Sequence, residues 1–148
     1  KEPSKYNAVD LGLPSGTLWA CCNIGADSPE DEGELFSYEI AYGNSSIPTL
    51  TQGNELALYC QIKEKTNGKI VEGPNGNMIF FPYHRVWNPE WYGDDAGYQN
   101  YESIGLWSST CDVMNEKGNW FYIIVPGEFN YNCKTNANGQ HRPARKIM

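Results

Sequence analysis

The sequence has little positive charge and no long hydrophobic run. Eleven lysines and arginines stand against eighteen aspartates and glutamates, which gives a net charge of −7. An acidic surface repels phosphate backbones and anionic membranes, so we expect no nucleic-acid partner. Apolar stretches long enough to span a bilayer are missing, so we expect no membrane insertion by this segment.

The chain is also poor in recognisable metal ligands and in cysteine motifs. It has two histidines and no HExxH motif, and its five cysteines form no CxxC pair. Five is an odd number, which excludes a complete disulfide framework. We therefore expect no zinc site and no cofactor.

Aromatic residues are abundant by contrast. Five Trp, ten Tyr and five Phe accompany 15 Gly, a composition typical of short strands joined by ordered turns. The length of 148 residues suits one domain. We expect residues 1–5 to be a linker or a processed N-terminal end and residues 6–148 to form a single domain.

Hydrophobic patterning predicts a mixed α+β fold in which most strands are antiparallel. Strands are predicted at 6–13 and 17–24 around the turn PSG, and a hairpin at 69–72 and 77–81 around GPNG. Further strands are predicted in LWSST, NWFYIIVP, EFNYNCKT and QHRPAR. A short helix is predicted to open at Ser28 and Pro29, and a longer one to span 51–66. Residues 82–105 are predicted to form a long ordered loop region.

The adjacent cysteines Cys21 and Cys22 fall within the second predicted strand. Alternation along that strand predicts that they face opposite sides, with Cys22 beside the apolar Leu18 and Ile24. No cationic residue is near enough in sequence to lower the pKa of either thiol, so we predict core packing for Cys22. A disulfide between Cys22 and Cys60 remains an alternative.

Four stretches carry a family resemblance: VDLGLPSGTLWACCNIGA, GPNGNMIFFP, LWSST and HRPAR. In this order they resemble the Fibrobacter major paralogous domain, a family of exported and surface proteins of gut bacteria related to the C-terminal domain of a Legionella collagen-like adhesin. The resemblance implies a C-type-lectin-like fold with two helices, a small twisted antiparallel sheet and long ordered loops. It also implies a secreted or cell-surface protein, anchored through a segment outside this chain. Relatives have a longer segment where this chain has GNSSIPTLT, and they read VRPVR where it has HRPAR.

Rings and amides are interleaved between residues 87 and 138, a composition that suits binding surfaces. Trp107 is predicted to be core, and Arg142 and Arg145 of the last motif are predicted to be structural. The acids Glu90, Asp94, Asp95 and Glu102 are interpreted as solvated surface, with a calcium site as the alternative. The candidate ligand-binding residues are Trp91, Tyr92, Tyr98, Tyr101, Asn119, Trp120, Tyr122, Asn130, Tyr131, Asn132 and Asn136.

These observations predict a noncatalytic binding domain that recognises a glycan or a surface protein through its aromatic and Asn-rich face. The alternative is a structural assembly module, homotrimerising or acting as a spacer, in a larger surface protein or appendage. An exposed apolar patch would favour that alternative.

Overall fold

The computed structural model describes residues 8–41, 44–88, 98–101, 104–112, 117–123 and 140–148. Every strand pair in this part of the chain is antiparallel, and helix accompanies the strands, so the predicted mixed α+β class is confirmed. The strands are β1 (Ala8–Asp10), β2 (Leu18–Ala20), β3 (Gln61–Lys65), β4 (Gly68–Glu72), β5 (Met78–Pro82), β6 (His84–Trp87), β7 (Tyr98–Tyr101), β8 (Ile104–Asp112) and β9 (Lys117–Ile123).

The strands β1 and β2 form a hairpin closed by the predicted turn. The N–H of Gly16 donates to the carbonyl of Leu13 across 2.9 Å, which leaves Pro14 and Ser15 at the turn's centre. Ser15 then reaches the helix, because its backbone N–H and its hydroxyl donate to the two carboxylate oxygens of Glu55 at 3.1 and 2.6 Å. This polar contact fixes the hairpin against the helix.

The sheet β3–β4–β5 is the largest described. Val71, Ile79 and Phe81 are buried in the core, whereas Ile70 and Phe80 pair on the opposite, half-exposed face. The predicted hairpin is confirmed at its turn, where the N–H of Gly76 donates to the carbonyl of Gly73 across 3.0 Å.

The helix α1 spans Leu50–Tyr59. It begins there because Thr49 accepts the N–H of Gln52 while Gln52 accepts the N–H of Thr49, a reciprocal capping box. The prediction that this helix continues to residue 66 is wrong. Residues Gln61–Lys65 form β3 instead, because pairing with β4 supplies their backbone hydrogen bonds.

The helix predicted to open at Ser28 is also wrong. The structure has a turn there, with the N–H of Asp31 donating to Ser28, and a 3₁₀ turn follows at Tyr38–Ile40. Gly33 lies between them with φ of 75°, a conformation that stops helix propagation. Within the described residues there is thus one α-helix rather than two.

The main core is formed by side chains of the helix, the β3–β4–β5 sheet, the first hairpin, β8, β9 and the last segment. Trp19 packs edge to face on Phe81 with ring centroids 6.1 Å apart, and Leu56 of α1 is fully buried beside them. A second cluster forms around Trp107, which is fully buried, as the sequence predicted for it.

The last described segment, residues 140–148, joins these parts. Its backbone bonds to Leu18 and Ala20 of β2, to Phe36, to Trp87 of β6 and to Trp107 of β8. The predicted strand in QHRPAR is therefore wrong as a continuous strand, because its bonds go to several partners as isolated bridges.

The sequence predicts a loop region over residues 82–105. The structure corrects this, because β6 and β7 lie within the region, β5 ends in it at Pro82 and β8 begins in it at Ile104. Strands in LWSST and NWFYIIVP are confirmed by β8 and β9, although residues 124–126 and the strand predicted in EFNYNCKT lie outside the described residues. None of the described helices has the length and apolar character needed to cross a membrane.

Candidate functional site

Three aromatic side chains meet where β6, β7 and the last segment come together. Trp87 ends β6 and pairs with Tyr98 at the start of β7, and its backbone exchanges hydrogen bonds of 3.1 and 2.7 Å with His141. The Trp87 ring meets His141 edge to face at a centroid distance of 4.7 Å and lies 6.5 Å from the Tyr98 ring. Backbone pairing therefore positions all three rings.

A charged pair borders these rings. The guanidinium carbon of Arg85 lies 4.6 Å from the centroid of the Tyr98 ring, within the range of a cation–π contact. Arg85 also binds Glu32, with Nη2 and Nε at 2.7 and 2.8 Å from Oε1 and the backbone N–H at 2.8 Å from Oε2. We name the group of Glu32, Arg85, Trp87, Tyr98 and His141 the Trp87 cluster.

The Trp87 cluster is open to solvent. Tyr98 is 39% exposed, and Trp87 and His141 are partly exposed. The Arg85 side chain of the ion pair is 48% exposed and that of Glu32 is 18% exposed, so solvent screens the pair on the arginine side and limits its contribution to stability. The result is a surface on which aromatic faces stand beside a carboxylate and a guanidinium held in one geometry.

Buried His84 connects the strand that carries Arg85 and Trp87 to β8. Its Nε2 accepts the N–H of Gly105 across 3.0 Å, and its Nδ1–H donates to the carbonyl of Arg85 across 2.9 Å. Burial lowers the pKa of His84 from 6.5 to about 4, which the bond to the Arg85 carbonyl only partly opposes. His84 is therefore neutral at physiological pH and ties β6 to β8 as a structural group.

Of the residues that the sequence predicted as ligand-binding, the structure brings Tyr98 into this cluster. Tyr101 ends β7 opposite His84, and the backbones of Asn119, Trp120 and Tyr122 in β9 pair with Ser108, Trp107 and Gly105. The remaining candidates lie outside the described residues: Trp91, Tyr92, Asn130, Tyr131, Asn132 and Asn136.

Sequence reasoning missed Glu32, Arg85 and His141 as members of the site. Glu32 and Arg85 are ordinary surface charges in the sequence, and His141 precedes an arginine-proline motif that was interpreted as structural. Arg85 lies in β6, and Glu32 and His141 form hydrogen bonds to residues of β6. The sequence did not predict this strand. The sequence HRVW does not alternate between polar and apolar residues, although its burial does, so no period-two pattern signals β6.

Metal ligands do not gather in the described part of the chain, where no three side chains of His, Cys, Asp or Glu surround one point. The acids considered for calcium, Glu90, Asp94, Asp95 and Glu102, lie outside the described residues. Ser15, Thr17 and Glu55 form a hydroxyl and carboxylate group, but Glu55 is occupied by the turn at Ser15.

Searches of family models, of curated proteins and of solved structures found no match to this chain.

Proposed function

We propose that this chain is a noncatalytic binding domain that recognises a glycan through the Trp87 cluster. The observation that carries the proposal is the Tyr98 ring, which is 39% exposed and contacts both Trp87 and the guanidinium of Arg85. A ring that is fixed before binding loses little conformational entropy when a ligand stacks on it.

The chemistry of the cluster matches that of a sugar. The apolar face of a pyranose stacks on an aromatic ring, and its hydroxyls need directional donors and acceptors. Arg85 supplies donors and Glu32 supplies acceptors beside the ring, and their mutual ion pair holds both in place. A protein ligand with an exposed acidic or aromatic side chain is the competing occupant.

The resemblance to the Fibrobacter major paralogous domain supports a finer proposal. We propose a C-type-lectin-like scaffold in a secreted or cell-surface protein of that family. The short antiparallel sheets and the bridging last segment are compatible with it.

A glycan array probed with the purified chain tests the function. Tyr98→Ala should lower binding to the best glycan by roughly tenfold, because the stacking surface is lost. Tyr59→Ala is the matched control, since Tyr59 is another exposed tyrosine, on α1 and 51% exposed. Equal losses in both variants, or retention of full binding by Tyr98→Ala, would contradict the proposal, and capture of a protein ligand alone would favour the competing occupant.

Two exposed apolar residues favour a second candidate function, the assembly module. Leu58 and Tyr59 are 75% and 51% exposed at the end of α1, side by side. If they bury against a second copy, the chain sediments as an oligomer, and Leu58→Ser returns it to a monomer. A wild-type chain that stays monomeric at high concentration would exclude this candidate.

A further inference from the structure

Two adjacent cysteines, Cys21 and Cys22, directly follow the end of β2. The strand stops at Ala20, so the alternation expected of Cys21 and Cys22 does not apply, and the prediction that they face opposite sides is wrong. Their sulfur atoms lie 3.5 Å apart. None of the three described cysteines Cys21, Cys22 and Cys60 forms a disulfide bond. Cys22 is buried, as predicted, whereas Cys21 is partly exposed.

The geometry suits a shared third atom better than a bond between the sulfurs. Neighbouring Cα atoms are about 3.8 Å apart, below the roughly 4.4–6.8 Å usual for disulfides. Two sulfurs bound tetrahedrally to one zinc at about 2.3 Å would be roughly 3.8 Å apart. A separation of 3.5 Å is therefore already close to that of two thiolates on one soft centre.

A pocket of about 320 Å³ opens beside Cys21. Its lining is mainly apolar and comes from β4, from β5 and from the turn that contains Pro29 and Glu30. The lining residues besides Cys21 are Pro29, Glu30, Ile70, Met78, Ile79 and Phe80. A small apolar group attached to an atom held by Cys21 would fit against Ile70 and Phe80.

Arg145 is a buried cation that interacts electrostatically with both thiols. It is fully buried, its Nε donates to Asn23 across 2.9 Å, and its guanidinium carbon lies 4.0 Å from the Phe81 ring centroid. Its Nη1 and Nη2 have no hydrogen-bond partner among the described residues. Burial lowers the pKa of Arg145 to about 9, and the adjacent thiols of Cys22 and Cys21 oppose that shift.

The buried guanidinium of Arg145 therefore lies near two thiols, those of Cys21 and Cys22, that can lose a proton. Burial raises the pKa of the Cys22 thiol to about 11, and Cys21 adds to the shift, so Cys22 holds its proton at neutral pH. A soft centre that displaces the thiol protons turns both sulfurs into hydrogen-bond acceptors only, and acceptors are what the two unpartnered guanidinium nitrogens lack.

We propose that Cys21 and Cys22 form a dithiol site for a trivalent, thiophilic metalloid bearing one apolar substituent, which lies in the adjoining pocket. With an arsenic(III) oxide R–As=O, two S–As bonds form and the arsenic–oxygen bonds break. The oxygen leaves as water with the two thiol protons, and arsenic remains trivalent. Such a centre needs two protein sulfurs, in accord with the absence of a third clustered ligand among the described residues.

Native mass spectrometry with phenylarsine oxide tests the site. The folded wild-type chain should retain one adduct, equal in mass to the probe less one water, in the presence of excess monothiol. Cys60→Ser is the matched control, because Cys60 is a buried cysteine outside the pair, and it should retain the adduct. Cys21→Ser should lose it. Absence of the adduct from the wild type, or its persistence in Cys21→Ser, would overturn the proposal.

Mapping the wild-type adduct gives the same assignment without any variant. Cleavage after Glu30 separates Cys21 and Cys22 from the other cysteines, and the arsenic should remain on that N-terminal peptide. Arsenic found on Cys111 or Cys133 instead would refute the site. Because the pocket buries the ring, phenylarsine oxide should bind roughly tenfold more tightly than methylarsine oxide, and equal affinities would contradict the pocket's part in the proposal.

Discussion

Phe36 and Arg142 exchange two backbone hydrogen bonds of 2.8 Å each, and the indole N–H of Trp107 donates to the same Phe36 carbonyl across 2.7 Å. Three segments distant in sequence thus meet at one residue. His141 directly precedes Arg142, so this junction also sets the position of one ring of the Trp87 cluster. The candidate binding surface is therefore connected, through Arg142 and Phe36, to the second core cluster around Trp107.

Leu56→Ala should destabilise the fold by about 2–5 kcal/mol, because Leu56 is fully buried in the main core and its loss leaves a cavity. Leu58→Ala on the same helix is the control and should change the free energy of unfolding by less than about 0.5 kcal/mol. Urea denaturation of both variants measures the difference. Similar costs at the two positions would show that the assigned face of α1 is wrong.

The helix cap should be measurable at Thr49. Thr49→Ala removes the side chain that accepts the N–H of Gln52, which should cost about 1 kcal/mol of stability. Thr51→Ala is matched in chemistry and lies in the first exposed turn without a capping role, so its effect should be within about 0.5 kcal/mol. Thermal denaturation compares the two, and a Thr51 effect equal to that of Thr49 would argue against the cap.

Stability should fall with acid because of His84. Its pKa is about 4 in the folded chain and 6.5 ordinarily, so the unfolded chain binds more protons between these values. The contribution is present above pH 6.5 and is lost as the pH falls toward 4, by about 3 kcal/mol in all. An NMR titration of the imidazole measures the pKa directly, and a midpoint near 6.5 in the folded chain would contradict the buried neutral form.

The β4–β5 turn should tolerate one glycine substitution and not another. A Cβ on Gly73 would lie 2.0 Å from the carbonyl oxygen of Leu11, so Gly73→Ala should displace the first hairpin and cost more than about 2 kcal/mol. Gly76→Ala meets nothing within 4 Å and suffers only from its positive φ, a cost of about 1 kcal/mol. Chemical denaturation ranks the two, and the reverse order would contradict this packing.

Glu32→Gln should separate binding from stability. The Arg85 side chain is 48% exposed and glutamine keeps the shape of Glu32, so loss of the ion pair should cost about 1 kcal/mol of stability or less. Arg85 would no longer be held beside Tyr98, and glycan binding should fall severalfold if the Trp87 cluster is the site. Calorimetric titration with the best glycan from the array provides the measurement; unchanged affinity in a stable variant would remove Glu32 from the site.

Local signals in the sequence determined the two hairpins and the broad class of the fold. Pro14 and Gly16 specify one turn and Gly73 to Gly76 the other, because few residues adopt the backbone angles that such turns need. The burial of Trp107 was also predictable. Residues 82–105 show no regular hydrophobic period, so the sequence did not predict β6 and β7 within this region.

Tertiary structure alone decided where α1 ends and which residues form the candidate sites. Residues 61–65 suit a helix by local pattern, but pairing with β4 makes them a strand, since partner hydrogen bonds outweigh intrinsic propensity. His141 reaches Trp87, and Arg145 reaches Asn23 beside Cys22, only through the path of the last segment. Sequence spacing does not encode such meetings, because they depend on how separate elements pack together.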